Sequence, residues 1–560
     1  MKMTVNKFAL ALFYSALLLL PSLLSAQLLF QATDIFSRAD SLRGQLTHYR
    51  TNYDIQYYHL DVKVDIDNKH ISGSNLFRFA AVADLDTLQF DLFDNLSVDK
   101  VLYQGQELPF EREYHAVFVH FPKTITEGTI DSLVVHYSGH PVQATRAPWD
   151  GGVDWKTDSN GKPFVATACQ GLGASVWWPN KDHPADEVDS MMISISVPRG
   201  LINVSNGRLV NHVQRADGYD RFDYKVVNPI NNYNVALNIG DYIHFTDQYQ
   251  GENGALDVDY YILRENNVPE KRKHLRTSVL QTLEALEHWF GPYPFYKDGY
   301  KIVETAHLGM EHQSAIAYGN KFLSGYLGQD RSQSGWGMKM DFIVVHETGH
   351  EWFGNNITAA DAADMWIQEA FTNYSESLFI EYFHGKEAAQ AYVNGNRLGI
   401  QNDRPIQGPY HVNTTGSADM YNKGGVMLHT LRTILDNDTL WRQILRGLNQ
   451  DFRLQQVDYT DIVDYISQKT AYDFSKFFEQ YVQHSSLPVL DVKFGDNGAV
   501  YVRWISEVDN FHMPIHLHTT DGKKELFVVT NKYQQVNMPG LHKDNFHVDT
   551  YNYYIGLLVQ

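Results

Sequence analysis

Two histidines and a glutamate in FIVVHETGHEWFGNN, residues 342–356, are the groups in this chain whose type and spacing most directly offer chemistry. The run is apolar and helix-like, and on a helix positions i and i+4 share a face. His346 and His350 can therefore aim both imidazoles at one ion, with Glu347 beside that face. Two imidazoles suit zinc, and an adjacent carboxylate can take a proton from metal-bound water. A hydrolytic zinc needs a third protein ligand and an open fourth position. Glu369, nineteen residues after His350 in MWIQEAFTNY, is the candidate. It begins a second helical stretch, where a carboxylate among Trp366, Ile367, Ala370 and Phe371 requires a partner. The same ligand set accepts cobalt or manganese. The competing reading is a pair of core histidines one helical turn apart.

HETGHEWFGNNIT followed by DMWIQEAFTNYSE resembles the gluzincin zinc aminopeptidases, the family of aminopeptidase N and leukotriene hydrolase. FGPYPFYKDGYKIVE is similar to the family's segment leading to its exopeptidase motif, and by motif the resemblance covers essentially the whole mature chain. It implies one zinc ion per chain, held by His346, His350 and Glu369, with Glu347 as general base. The family's Gly-x-Met-Glu-Asn motif, whose glutamate binds the substrate's free α-amine, is matched by HLGMEHQSA. Gly309 stands at the variable position, Met310 and Glu311 match, Leu308 replaces the first glycine and His312 the asparagine. An ammonium buried beside a metal needs a carboxylate to offset its desolvation, and Glu311 can supply one.

By the same resemblance Gln170, in TACQGLGASVWWPNKDHP, falls where a substrate-contacting glutamine sits. The glycines after it suit a turn near a ligand, while Asp182 and His183 read as structural. Tyr421 in DMYNKGGVML matches the family's tyrosine two residues before a Lys-Gly pair, a hydroxyl donor for the oxyanion. Asp364 and Glu376 match carboxylates of the family's second helix; each can orient a zinc histidine through its other ring nitrogen or be an ordinary helix charge.

The expected activity is removal of the N-terminal residue from peptides with a free amine. A zinc endopeptidase would share the metal site but have no use for Glu311. An epoxide hydrolase would want an acidic residue eight positions before Tyr421, where Asn413 stands. A non-catalytic binding protein on this scaffold would have lost a ligand or the base, and all are present.

The elements that must position these groups are legible in outline. From about Tyr53 to Ile243 the pattern has period two: YYHLDVKVDI puts Leu60, Val62, Val64 and Ile66 on one face, and AVFVHF and DSLVVHY continue the style. LRTSVLQTLEALEHWFG then turns helical, with Leu275, Val279, Leu283 and Leu286 near one stripe and Gly291 and Pro292 at its end. KGGVMLHTLRTIL and TDIVDYISQKT are further helices, and from about Leu487 strands return in LDVKFG, AVYVRWI and ELFVVT. This predicts a multidomain α+β protein: a β domain over 27–245, a mostly α domain over 246–485 and a small β domain over 486–560. The resemblance implies a saddle-like first domain and a thermolysin-like second. Larger relatives in the family end in a helical domain that closes over the site. With some 75 strand-like residues in that place, the site is expected to be more open, or covered by another subunit.

Composition sets the outer bounds. The chain has 560 residues, enough for several domains, with 43% hydrophobic and 20% charged residues as in soluble globular proteins. A formal net charge of -20 argues against nucleic acid and against a basic membrane-surface binder. Residues 1–26 read as a signal peptide: Lys2 and Lys7, an apolar run from Phe8 to Leu20, and a cut after Ala26. An uncleaved anchor is the alternative, although the run is short for a span. The expectation is an exported protein, periplasmic or secreted. The single cysteine, Cys169, excludes an internal disulfide and a thiolate zinc cluster.

Overall fold

The computed structural model describes residues 36–496 and 498–560. The targeting segment read over residues 1–26 lies outside the described residues.

In Tyr53–Asp65, Leu60, Val62 and Val64 are fully buried while Asp61 and Lys63 between them are partly exposed, the alternation of a strand with one face on a core. That strand lies near the middle of an eight-stranded sheet, antiparallel to His70–Ala81 and parallel to Met191–Pro198. A four-stranded sheet, ordered Ile202–Val204, Asn238–Gly240, Pro163–Ala168 and Gly152–Thr157, completes the side nearest the helices. Pro163–Ala168 runs out immediately before Cys169 and Gln170, and so delivers Gln170 to the domain's edge. Gly171 and Gly173, at φ of 77° and 92°, make the turn that follows. Asp182 pins that loop by accepting from the backbone N–H groups of Ala174 and Ser175, and His183 is buried beside it.

A five-stranded sheet joins the two halves of the molecule: Tyr242–Gly251, Gly254–Leu263, Tyr300–Glu304, Ile316–Tyr318 and the edge strand Gly309–Met310. One face, with Tyr261, Leu263, Val303 and Ala317, belongs to the β core; the other, with Tyr260, Ile262, Ile302 and Tyr318, belongs to the helical core. The boundary expected between residues 245 and 246 therefore cuts a strand. Alternation identifies a strand but carries no mark of which sheet it will join.

Three helices, α2 (Phe342–Gly349), α3 (Met365–His384) and α4 (Asn422–Leu435), carry site residues, and α1 (Pro269–Phe290) packs against α2 and α3. Proline at the first turn opens α1 and Gly291 caps it, as its sequence signals require. Asp341 caps α2 by accepting from the N–H of Val344. Helix α3 is packed closely on both sides. A Cβ at Gly349 would stand 2.6 Å from Ser375 Oγ, and one at Gly424 would stand 2.5 Å from Ala370 Cβ. Bare backbone at these positions lets α2 and α4 approach α3, which fixes Tyr421, the residue immediately before α4. The C-terminal residues form a four-stranded and a three-stranded sheet whose core side chains, Trp504, Met513 and Ile515 among them, are continuous with the helical core. The order is β-rich, then helical, then β.

Candidate active site

His346 comes from the last turn of α2, and His350 caps it with φ of -63° and ψ of -20°, still helical, so the i, i+4 relation holds. Glu369 comes from the second turn of α3. Both Nε2 atoms face one carboxylate oxygen, Oε2 of Glu369, at 3.8 Å from His346 and 3.3 Å from His350. That oxygen is buried and has no hydrogen-bond partner among the described residues. Nitrogen and carboxylate donors within 4.8 Å of one another, one oxygen otherwise orphaned, fit a zinc ion.

The opposite edge of each imidazole is tied down. His346 Nδ1 lies 2.8 Å from Glu376 Oε1, and His350 Nδ1 lies 3.0 Å from the carbonyl of Phe353 and 3.2 Å from Thr372 Oγ1. With Nδ1 carrying the proton, each Nε2 lone pair is free to point at a metal. Glu376 is held in turn by the Tyr392 hydroxyl at 2.6 Å. Glu376 thus stands where the resemblance implies. Asp364 does not: it sits at the N-cap of α3 and accepts from Trp366 Nε1, Gln407 Nε2, the Tyr410 hydroxyl and the backbone N–H of Tyr459. Among the described residues it contacts no imidazole. A carboxylate one residue ahead of the helix points into the loops that precede it, not across to α2.

On the His350 side, Glu311, Glu347 and His350 form a second cluster within 4.8 Å. Gln170 Nε2 donates to Glu311 Oε1 at 2.6 Å and to Glu369 Oε1 at 2.9 Å. The Tyr233 hydroxyl also donates to Glu311 Oε1, at 3.0 Å, and Asn355 Nδ2 holds the Glu311 carbonyl at 2.9 Å. Gly309 backs onto Glu347, and Met310 is buried against the β core. His312 is fully buried with neither ring nitrogen bonded among the described residues, and burial beside His307 pushes its pKa down to about 3. It fills space as a neutral ring. Tyr421 stacks on His346, centroids 6.0 Å apart and 27° between planes. The three candidate zinc ligands, Glu347, Glu311, Gln170 and Tyr421 line one cleft of about 500 Å³, and Glu376 and Tyr392 line it too.

Sequence reasoning missed Tyr233, Asn355, Thr372 and Tyr392. Asn355 lies inside the quoted zinc stretch, but no spacing rule marks it. Tyr233 is one of 34 tyrosines and only the fold brings it to Glu311.

The electrostatics follow from crowding carboxylates in a dry site. Burial raises Glu347 to about 7, against the pull of His346 and His350. Burial raises Glu311 as well, opposed by His350. Burial works upward on Glu369 too, but there the charges of His350 and His346 win and hold it far below the usual carboxylate range. Burial pulls His350 down, yet Glu369 and Glu311 lift it to about 9. The imidazoles rise because negative groups outnumber positive ones, an imbalance a divalent cation would answer. Burial, Glu369 and Glu311 push the Tyr421 hydroxyl well above its ordinary value, so it stays a donor.

Two family models match this chain: the peptidase M1 N-terminal domain over residues 54–233 and the peptidase family M1 domain over residues 277–481. Endoplasmic reticulum aminopeptidase 1 of Mus musculus is 26% identical over 304 residues, 51% of this chain and 31% of that protein. Aminopeptidase N of Lactobacillus helveticus is 23% identical over 473 residues, 79% of this chain and 52% of that protein. The chain thus spans about a third to a half of the length of these curated relatives. Among solved structures, the M1 zinc metallopeptidase of Deinococcus radiodurans superposes with a TM-score of 0.65 at 22% identity, covering 78% of this chain and 95% of that one. A mutant of it bound to a Tyr-Ser-Ala substrate gives 0.66, covering 81% and 99%. With one M1 model on its β domain and the other on the helices that carry His346, His350 and Glu369, the chain belongs to peptidase family M1.

Proposed function

We propose that this chain is a zinc-dependent aminopeptidase that hydrolyses the first peptide bond of peptides with a free N-terminus. One observation carries the reading: Glu311 and Glu369 present carboxylate oxygens to a single N–H donor, Gln170 Nε2, at 2.6 and 2.9 Å. Two converging acceptors beside a hydrolytic site are what a substrate ammonium requires, and they close that end of the cleft to a longer chain.

His346, His350 and Glu369 would hold the zinc ion, one per chain. Bound there, zinc supplies Lewis acidity to the scissile carbonyl and acidifies water. Glu347, raised to about 7 by burial, is poised to accept a proton from the attacking water and return it to the leaving amine. Tyr421 stays protonated and donates to the developing oxyanion. Glu311, Glu369 and Gln170 orient the substrate amine, which places the first peptide bond, and no later one, beside Glu347. Tyr233 keeps the Glu311 carboxylate in place.

The test is a panel of aminoacyl-anilides and their N-acetylated twins, with Glu347→Gln as control. Cleavage of the free-amine set alone, abolished in the variant, is the expected result; equal cleavage of the acetylated set would replace this reading with an endopeptidase. Residues 1–26 support export to the periplasm or medium, which sequencing the N-terminus of the mature protein would check.

A further inference from the structure

We propose that Arg331 is the anchor for a substrate carboxylate on the leaving-group side of the cleft, which makes the enzyme favour short peptides with a free C-terminus. The proposal rests on the aminopeptidase reading above, because that reading sets the direction of the bound peptide. The amine-binding groups cluster with His350: Glu311, Glu347 and His350 lie within 4.8 Å of one another. The remainder of the peptide must then leave past His346, toward the N-terminal end of α2. There Phe342 stacks on His346, centroids 5.4 Å apart and 13° between planes, and Tyr326 meets Phe342 edge-on at 5.3 Å. The Arg331 guanidinium lies over both rings, 4.9 Å from Tyr326 and 6.0 Å from Phe342.

Arg331 is exposed, lines the cleft and is, among the described residues, its sole lysine or arginine, against Glu311, Glu347, Glu369, Glu376 and Asp419. Among the described residues its guanidinium has ring contacts but no hydrogen bond or ion pair. Its neighbour Asp330 does not neutralise it, since that carboxylate is spent on Ser332 N, Ser332 Oγ and Gly335 N, bonds that order the loop carrying Arg331. Stacking holds the planar fork while leaving its N–H edge available to a carboxylate. An extended peptide advances about 3.3–3.6 Å per residue. Ring steps of 5.4 and 6.0 Å set the upper limit of the distance from the His346 ring to the guanidinium, so a peptide leaving past His346 reaches Arg331 within about three residues, the length of a tripeptide or tetrapeptide.

The test compares Leu-Ala-Ala and Leu-Ala-Ala-Ala as free acids and as C-terminal amides, with Leu-Glu-Ala and Leu-Ala-Glu amides to separate a terminal from a side-chain carboxylate. The wild type should prefer acid over amide by about ten-fold in kcat/KM, the scale of one charge-assisted pair. Arg331→Gln should bring that ratio close to one, and Arg331→Lys should keep part of it. Recovery of the rate by the glutamate-containing amides, lost again in Arg331→Gln, would support the same anchor with a side-chain source. A wild-type ratio of one at both lengths, or a ratio that survives in Arg331→Gln, would overturn the proposal. Calorimetric binding of the same acid and amide pairs to Glu347→Gln provides a readout without turnover. If the wild type cleaves no free-amine substrate, the aminopeptidase reading fails, while the binding preference still decides the role of Arg331.

Discussion

A Cβ added to Gly309 would stand 2.5 Å from Oε1 of Glu347 and 2.9 Å from Ile343 Cγ2. The constraint is one of space rather than backbone angle, since Gly309 sits in an ordinary strand. The proposed general base and the edge strand of the amine-binding motif thus touch with no room for a methyl group. Gly309→Ala should leave the fold intact, because the strand pairing is kept, but force the Glu347 carboxylate to shift. A displacement on the order of 1 Å costs roughly a hundred-fold in rate. We expect kcat to fall by about that factor with the melting temperature little changed. An alanine variant with wild-type kcat would show that the Glu347 position is not set by this contact.

Glu376 and Asp364 look alike in sequence and part company in space. Glu376 braces His346 Nδ1 at 2.8 Å, whereas Asp364 spends its oxygens on Trp366, Gln407, Tyr410 and Tyr459. Removing a carboxylate that orients a ligating histidine costs about 10–100-fold in metal affinity. Glu376→Gln should therefore lose zinc to a competing chelator about 10–100-fold more readily than wild type. Asp364→Asn should retain zinc normally and melt earlier, having weakened a network that joins three segments. Equal zinc retention in the two variants would contradict the division of roles.

What the sequence disclosed and what it withheld divide along physical lines. His346, Glu347 and His350 were readable because helix geometry turns a spacing of four into one face, and Glu369 because a carboxylate amid Trp366 and Phe371 must have a partner. Gln170 was reachable only through resemblance, since its contacts to Glu311 and Glu369 span 141 and 199 positions. No local rule links residues so far apart. Tyr233 and Asn355 are hidden for the same reason. The strand Tyr242–Gly251 straddles the boundary expected from the sequence because period two is shared by every half-buried strand, whichever core it faces.

Tyr421 is positioned by the close approach of α4 to α3 and by its stack on His346 at 6.0 Å. Its hydroxyl stays protonated, so the role proposed for it is hydrogen-bond donation to the oxyanion that develops as water attacks. Loss of one such donor typically costs about 100–1,000-fold in kcat. Tyr421→Phe should show a loss of about that size with KM nearly unchanged, because the ground-state carbonyl gains little from the donor. A rise in KM at constant kcat would instead assign Tyr421 to substrate binding.

His312 takes the place that asparagine holds in the exopeptidase motif, and it makes stability depend on pH. Its folded pKa, pushed down to about 3 by burial and by His307, lies below the ordinary value of 6.5. Between those values the unfolded chain carries a proton that the folded chain lacks. Stability therefore falls as pH drops from 6.5 toward 3, with a limiting slope of about 1.4 kcal/mol per unit. Asparagine does not titrate, so His312→Asn should lose less stability than the wild type on acidification. Relative to its offset near neutrality, the variant should gain roughly 2 kcal/mol on the wild type by about pH 5. Denaturant melts of both proteins at matched pH values measure this directly. Parallel stability curves across that range would mean that the His312 ring takes up its proton without cost in the folded state.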